Sequence, residues 1–209
     1  FLSFFNSLVD DEKEKCTHLV QSLLNDGYDL KEIYNELFKK SLYRIGKLWD
    51  HDKMSIPEEH MATQIVESLI SRFAPVGNSN SDRKVVVTCI DKEFHEIGAK
   101  MVSNVFGLEG WNSYYLGASV PSKEILKFVK QIDPEVIALS WSLYLNLGRF
   151  LEVVDHLTRF FTKKKIDFSK LFSFLSLSAY DFFFFFFLFF FFSFQFLYSF
   201  FSFVFSFSN

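Results

Sequence analysis

From Lys84 onward the chain alternates short β-branched runs with longer helical stretches, and this alternation constrains the fold more than any other feature. A Val-rich run at 84–90 predicts a strand, 98–107 a helix and 112–116 a second strand. A second helix begins after Pro121, Val136 to Trp141 predicts a third strand, and 147–161 a third helix. Strands linked through helices of about ten residues or more run parallel, with right-handed crossovers, because a tight turn can only reverse the chain. The expected fold class is therefore α/β, with a doubly wound parallel sheet that binds ligands outside the carboxyl ends of its strands. His95, Gly117 and Ser140 all fall at or just past those ends, so three chemically useful positions share one rim.

The region before the sheet has a different rhythm. From about Leu8 to Phe73 the period is helical, with Leu19, Leu23 and Leu24 on one apolar stripe and Ile33, Leu37, Ile45 and Leu48 on another. Asp29 with Glu32 and Ser55 with Glu58 each fit the start signal in which a short polar side chain caps a helix and a glutamate three residues later caps back. Pro57 falls early in the second of these helices, where its missing N–H costs nothing. The expectation is a bundle of three or four helices over residues 1–75, a polar Gly/Ser/Asn linker over 76–83, and the α/β domain over 84–166.

A net charge of -3 gives no electrostatic footprint for nucleic acid, so direct nucleic-acid binding is not expected. Cys16 and Cys89 fall in a helical and a strand pattern, which reads as reduced thiols in a cytoplasmic protein. "FLSFF" at the start lacks the basic leader and cleavage site of a secretory signal, and the absence of an initiating Met suggests a fragment. Residues 167–209 are different material, since 20 of the 31 Phe lie there with almost no charge. A membrane span, a buried core segment and a translation artefact compete for this tail. It lacks the basic flank and the Leu/Ile/Val/Ala mixture of spanning helices. Phe, Leu, Ser and Tyr share T-initial codons, so a shifted or non-coding frame accounts for the composition. The α/β domain is accordingly expected to be C-terminally incomplete, with no membrane contact unless the tail is genuine.

The first predicted strand leads into Asp91-Lys92-Glu93-Phe94-His95-Glu96-Ile97-Gly98. Neutral imidazole is the commonest metal ligand, and a carboxylate beside it fixes the tautomer, a role for which Glu93 is placed. Gly98 lets backbone approach a bulky ligand without a Cβ in the way. Acidic-x-His-x-x-Gly after the first strand resembles the signature of the cobalamin-binding domains, whose fold is Rossmann-like. That resemblance implies His95 as lower axial ligand of cobalt, with the displaced nucleotide tail entering the sheet. Gly117-Ala118-Ser119-Val120-Pro121 resembles the family's second loop. Ser140-Trp141-Ser142 resembles its serine motif lining the tail slot, with Ser142 departing from a leucine of some members. The helical bundle resembles the cap over the upper corrin face.

Within the bundle, Trp49, nine further residues and then Glu59-His60 are similar to the Trp-x9-Glu-His motif of the CarH-like adenosylcobalamin photoreceptors. The resemblance implies that Trp49 packs over the upper ligand and that Glu59 and His60 contact an adenosyl group. The position after the tryptophan is Asp50 instead of the photoreceptors' histidine, which leaves His51 as the candidate upper ligand. The expected function is a cobalamin-binding sensory protein, adenosylcobalamin-dependent and light-responsive, acting through self-association or a protein partner in transcription regulation. The alternative is a corrinoid methyl carrier of a methyltransferase system, with methylcobalamin as cofactor. A phosphoacceptor receiver fails at the third strand, which ends in Ser140-Trp141-Ser142 and offers no aspartate. A separate metal site from His51, Glu58, Glu59 and His60 is disfavoured because adjacent helical residues point about 100° apart.

Overall fold

The computed structural model describes residues 1–75, 81–163, 173–177 and 185–191. The chain divides into two compact units, Phe1–Ala74 and Pro75–Asn209.

The first unit contains α1 (Leu2–Val9), α2 (Lys13–Asn25), a continuous helical run α3 over 30–50, and α4 (Ile56–Arg72). Helix begins earlier than the sequence pattern suggested, because Phe4, Phe5 and Leu8 place an apolar face of α1 in the core. In α2 the buried positions are Cys16 and Val20, while Leu19, Leu23 and Leu24 are only half-buried, so the predicted stripe is rotated from the true one. Both predicted caps form. Glu32 accepts the Asp29 N–H at 3.0 Å while Asp29 accepts from Lys31, and Glu58 accepts the Ser55 N–H at 2.7 Å. Inside α3 the residues Ile33–Lys39 form a π-helix before the α-helix Lys40–Asp50 resumes. Ile33, Leu37 and Ile45 are buried as expected, and the wide turn also brings in Tyr34 and Phe38, whose rings lie 5.8 Å apart. α4 buries Ala62, Ile65, Val66, Leu69 and Ile70, at helical spacing.

The second unit runs β1 (Lys84–Cys89), α5 (Ile97–Leu108), β2 (Asn112–Tyr115), α6 (Ser122–Ile132), β3 (Val136–Trp141), a 3-10 turn Tyr144–Asn146, α7 (Leu147–Lys163), β4 (Ser173–Leu177) and β5 (Phe185–Phe191). The sheet order is β2-β1-β3-β5-β4. β1 pairs in parallel with both β2 and β3, Val86 standing opposite Tyr114 on one side and Ile137 on the other. Val85, Val86, Val87 and the run Val136 to Leu139 are fully or almost fully buried, the continuous apolar pattern of a central parallel strand. Ile125 and Val129 of α6 and Phe150, Val153, Leu157 and Phe161 of α7 pack with Ile137, Leu139 and Trp141 into one core.

Beside β3 lies β5, antiparallel, with Ser140 opposite Phe187, and β4 pairs with β5. The outer edge of β3 offers a row of unpaired backbone groups, and an aromatic-rich, proline-free segment satisfies them. The rest of the tail, and the linker core at 76–80, lie outside the described residues. No helix among the described residues is long and apolar enough to cross a membrane.

Candidate functional site

The rim is built from the loops that leave β1, β2 and β3. The chain turns immediately after β1, where Lys92 adopts a left-handed backbone (φ 63) and faces Ser119 of the β2–α6 loop, itself left-handed (φ 52). The two loops are laced together: the Lys92 N–H donates to Ser119 Oγ at 3.1 Å, and the Ser119 N–H to the Glu93 carbonyl at 2.9 Å. Gly117, the last turn before this loop, has φ 94, and an added Cβ would meet nothing within 4 Å, so the requirement there is backbone conformation and not space.

Glu93 turns inward from this corner and its side chain is wholly buried. Burial pushes its carboxyl up, but the donors around it more than offset that. The His95 ring, the Ser142 N–H, the His95 N–H and the Ser142 hydroxyl together hold its pKa down at about 2. His95 Nδ1 lies 2.6 Å and the His95 N–H 2.9 Å from Oε1; the Ser142 N–H lies 2.7 Å and its hydroxyl 2.9 Å from Oε2. The Leu143 N–H and Asn146 Nδ2 add longer contacts of 3.4 Å to the same oxygen.

This carboxylate accepts at Nδ1 and therefore selects the tautomer of His95 in which that nitrogen carries the proton. Nε2 is left as the ring's electron-pair donor, on a side chain that is 37% exposed. Ser142 Oγ also lies 2.9 Å from His95 Nδ1, so the hydroxyl touches both partners. The arrangement presents one oriented imidazole lone pair at the carboxyl rim of the sheet. Gly98 sits half-buried in the first turn of α5.

The other predicted residues distribute as follows. Ser140, one residue before the end of β3, is fully buried, and its hydroxyl lies by the Cys89 thiol opposite it on β1, with no stronger hydrogen-bond partner among the described residues. Ser142, expected to line the tail slot, donates both its N–H and its hydroxyl to Glu93. In the first unit Trp49 is 38% exposed near the end of α3. His60 Nε2 lies 3.5 Å from the Glu59 carboxylate, which also accepts from Thr63 at 2.8 Å. His51 is exposed, with Nδ1 2.7 Å from the Lys47 carbonyl. No three His, Cys, Asp or Glu side chains among the described residues gather into a metal cluster of their own.

Two residues of the rim were not signalled by the sequence. Asn146, 5% exposed, donates to the Lys92 carbonyl at 3.1 Å as well as to Glu93, and so closes the cage. Tyr115, the last residue of β2, donates its hydroxyl to Glu96 Oε2 at 2.7 Å. Only the position of each at the end of a predicted strand or just past one placed it near the site.

Residues 3–73 and residues 83–166 each match a family model described as a B12 binding domain. The chain is therefore a corrinoid-binding protein, built of two B12-binding domains in tandem. It is 20% identical over 157 residues to trimethylamine corrinoid protein 1 of Methanosarcina acetivorans, covering 73% of each chain. Dimethylamine corrinoid protein 1 of the same organism is 26% identical over 132 residues, 61% of this chain and 62% of the relative. The fold is similar to that of the Methanosarcina barkeri monomethylamine corrinoid protein, with a TM-score of 0.63 at 14% identity over 75% of this chain and 76% of the other. These relatives are methylamine corrinoid proteins. They lend no support to the photoreceptor, sensor and transcription-regulator expectations drawn from Trp49, Glu59 and His60.

Cobalamin is the cofactor, and the residues of the rim fit it. A metal held by a macrocycle takes a single ring nitrogen from the protein, and His95 Nε2 is the one left at the rim when Glu93 holds Nδ1. The buried Ser140 hydroxyl, which among the described residues meets only the weakly hydrogen-bonding Cys89 thiol, is a polar group that a bound nucleotide tail would satisfy.

Proposed function

We propose that this chain is the corrinoid-carrying component of a methyl-transfer system, with His95 as the lower axial ligand of cobalt. The observation that carries the reading is the buried Glu93 carboxylate fixed on His95 Nδ1 at 2.6 Å, which leaves Nε2 as the donor at the rim. Bound cobalamin would supply a cobalt centre able to accept and release a methyl group. Glu93 supports the imidazole by holding the Nδ1 proton, which increases electron donation from Nε2. Ser142 and Asn146 keep that carboxylate fixed, Gly117 sets the second loop, and Ser140 receives the nucleotide tail. Gly98 leaves the first turn of α5 without a side chain where the cofactor approaches. The likeness to trimethylamine and dimethylamine corrinoid proteins supports a methylated amine as the ultimate methyl source and a methyltransferase as the protein partner.

A second reading, an adenosylcobalamin-dependent light sensor, rests on Trp49, Glu59 and His60, with His51 as a candidate upper ligand. Trp49 is a large aromatic side chain left 38% exposed, which an upper ligand would cover. Loading the purified protein with methylcobalamin or adenosylcobalamin, and measuring retention and native mass in darkness and after green light, separates the two. The carrier predicts that the methyl form is held at least as tightly as the adenosyl form and that light leaves the native mass unchanged. Preference for the adenosyl form with a light-driven change in mass would overturn the carrier in favour of the sensor, and retention of neither would overturn both.

A further inference from the structure

The His95 loop is held from two sides. On the β3 side Ser142, Leu143 and Asn146 fix Glu93, two residues before the histidine. On the β2 side the Tyr115 hydroxyl lies 2.7 Å from Glu96 Oε2 and 3.4 Å from the Glu96 carbonyl oxygen, one residue after it. Glu96 is also the N-cap of α5, and its carbonyl accepts the Lys100 N–H at 2.9 Å, so this residue joins the loop to the helix.

Resting on the reading of His95 as cobalt ligand, we infer that Tyr115 is a positioning residue that fixes the reach and direction of His95 through Glu96. The geometry gives the reason. Glu93 fixes the loop before the histidine, the Cys89 thiol adds a weak contact to the His95 carbonyl at 3.8 Å, and Phe94 is 68% exposed. The Tyr115 hydroxyl on the Glu96 carboxylate adds a second strong anchor on the far side of the histidine. Tyr115 can supply it because its Cα is held in register opposite Val87 of the central strand. A phenol on a strand end is a rigid strut with two side-chain torsions, and its hydroxyl meets a carboxylate, the stronger kind of acceptor. The ordering cost of the loop is then met on folding, so less is left to be met on cofactor binding.

The test uses the full chain with Tyr115→Phe, Glu96→Ala and Glu96→Gln. Tyr115→Phe removes only the hydroxyl; Glu96→Gln keeps an acceptor for it and serves as the conservative rescue. Hydrogen exchange of the 94–98 amides in the cofactor-free protein and the dissociation constant for cobalamin are read together with the urea midpoint of the second unit. We expect Tyr115→Phe and Glu96→Ala each to speed loop exchange and to weaken cobalamin about tenfold. The double variant should be no worse than either single one, Glu96→Gln should stay near wild type, and the urea midpoint should not move. Unchanged exchange and affinity in Tyr115→Phe would overturn the inference, as would losses matched by a fall in the urea midpoint. If the wild-type chain failed to take up cobalamin, the corrinoid reading would fall while the exchange measurement still decided whether Tyr115 tethers the loop.

Discussion

Replacing Glu93 by Gln should destabilise the second unit by an amount that depends on pH in a defined way. The folded carboxyl titrates at about 2, against an ordinary value of 4.5. A depressed pKa means that the folded state prefers the charged form, so the stabilisation is complete above the unfolded pKa and is lost as pH falls through the folded one. That lowering corresponds to about 3 kcal/mol at pH 7, falling to about 1 kcal/mol at pH 3 and toward zero below pH 2. Glutamine keeps the shape but turns one acceptor into a donor, facing the N–H and O–H groups of His95 and Ser142, which already point at that position. Urea unfolding followed by tryptophan fluorescence reads this unit through Trp111 and Trp141 once Trp49 is changed to Phe. Wild type should lose about 2 kcal/mol more than Glu93→Gln between pH 7 and pH 3. Parallel pH dependence of the two proteins would refute the reasoning, because it would mean that Glu93 carries no special preference for its charge in the fold.

Other consequences follow from the same geometry. Ser140→Ala should change the stability of the cofactor-free protein little, since among the described residues its buried hydroxyl meets only the weakly hydrogen-bonding Cys89 thiol, yet weaken cobalamin binding about tenfold by equilibrium titration; a large loss of apo stability would show that the hydroxyl already has a structural use. Ser55→Ala removes one half of the α4 capping box and should cost the first unit about 1 kcal/mol by thermal or urea unfolding, with little change in the second unit. Burial pushes the Cys89 thiol up to about 12 and the Cys16 thiol up to about 11, so a chromogenic thiol reagent at pH 8 should modify neither without denaturant. Rapid labelling of either cysteine in the native protein would contradict that packing.

Much of the second unit was legible in the sequence because its signals are local and strong. The runs at 84–90 and 136–141 are too β-branched and too short for buried helices, and the intervening stretches are long enough to force parallel crossovers. Asp29, Ser55 and Pro57 placed two helix starts correctly, since capping depends on residues only a turn apart. The start at Leu2 escaped because its cue, a cluster of Phe, also fits other environments. The rotation of the α2 stripe escaped because Cys16 and Val20 are smaller than the leucines beside them, and shape decided which faced the core. Within α3, nothing in Ile33 to Lys39 announces a π-helix, which is a product of packing.

At the site, Glu93 and His95 could be paired from spacing alone, but what fixes Glu93 could not. Ser142, Asn146 and Tyr115 reach this loop from sequence distances of 49, 53 and 19 residues. Such contacts depend on strand order and register, which become definite only when β1 lies between β2 and β3. The same applies to Ser142, whose hydrogen bonds to Glu93 depend on the turn after β3. Trp49, Glu59 and His60 matched a pattern in sequence, while the relatives found are methylamine corrinoid proteins.

The measurement that bears most directly on the account is electron paramagnetic resonance of the protein loaded with cobalamin in the Co(II) state, prepared with ordinary and with 15N-labelled histidine and compared with His95→Ala. Ligation through His95 Nε2 predicts a nitrogen splitting that changes from a triplet to a doublet on labelling the histidine and that disappears in His95→Ala. A splitting insensitive to histidine labelling, or one that survives in His95→Ala, would mean that another nitrogen occupies the lower position and would contradict the assignment on which the site rests.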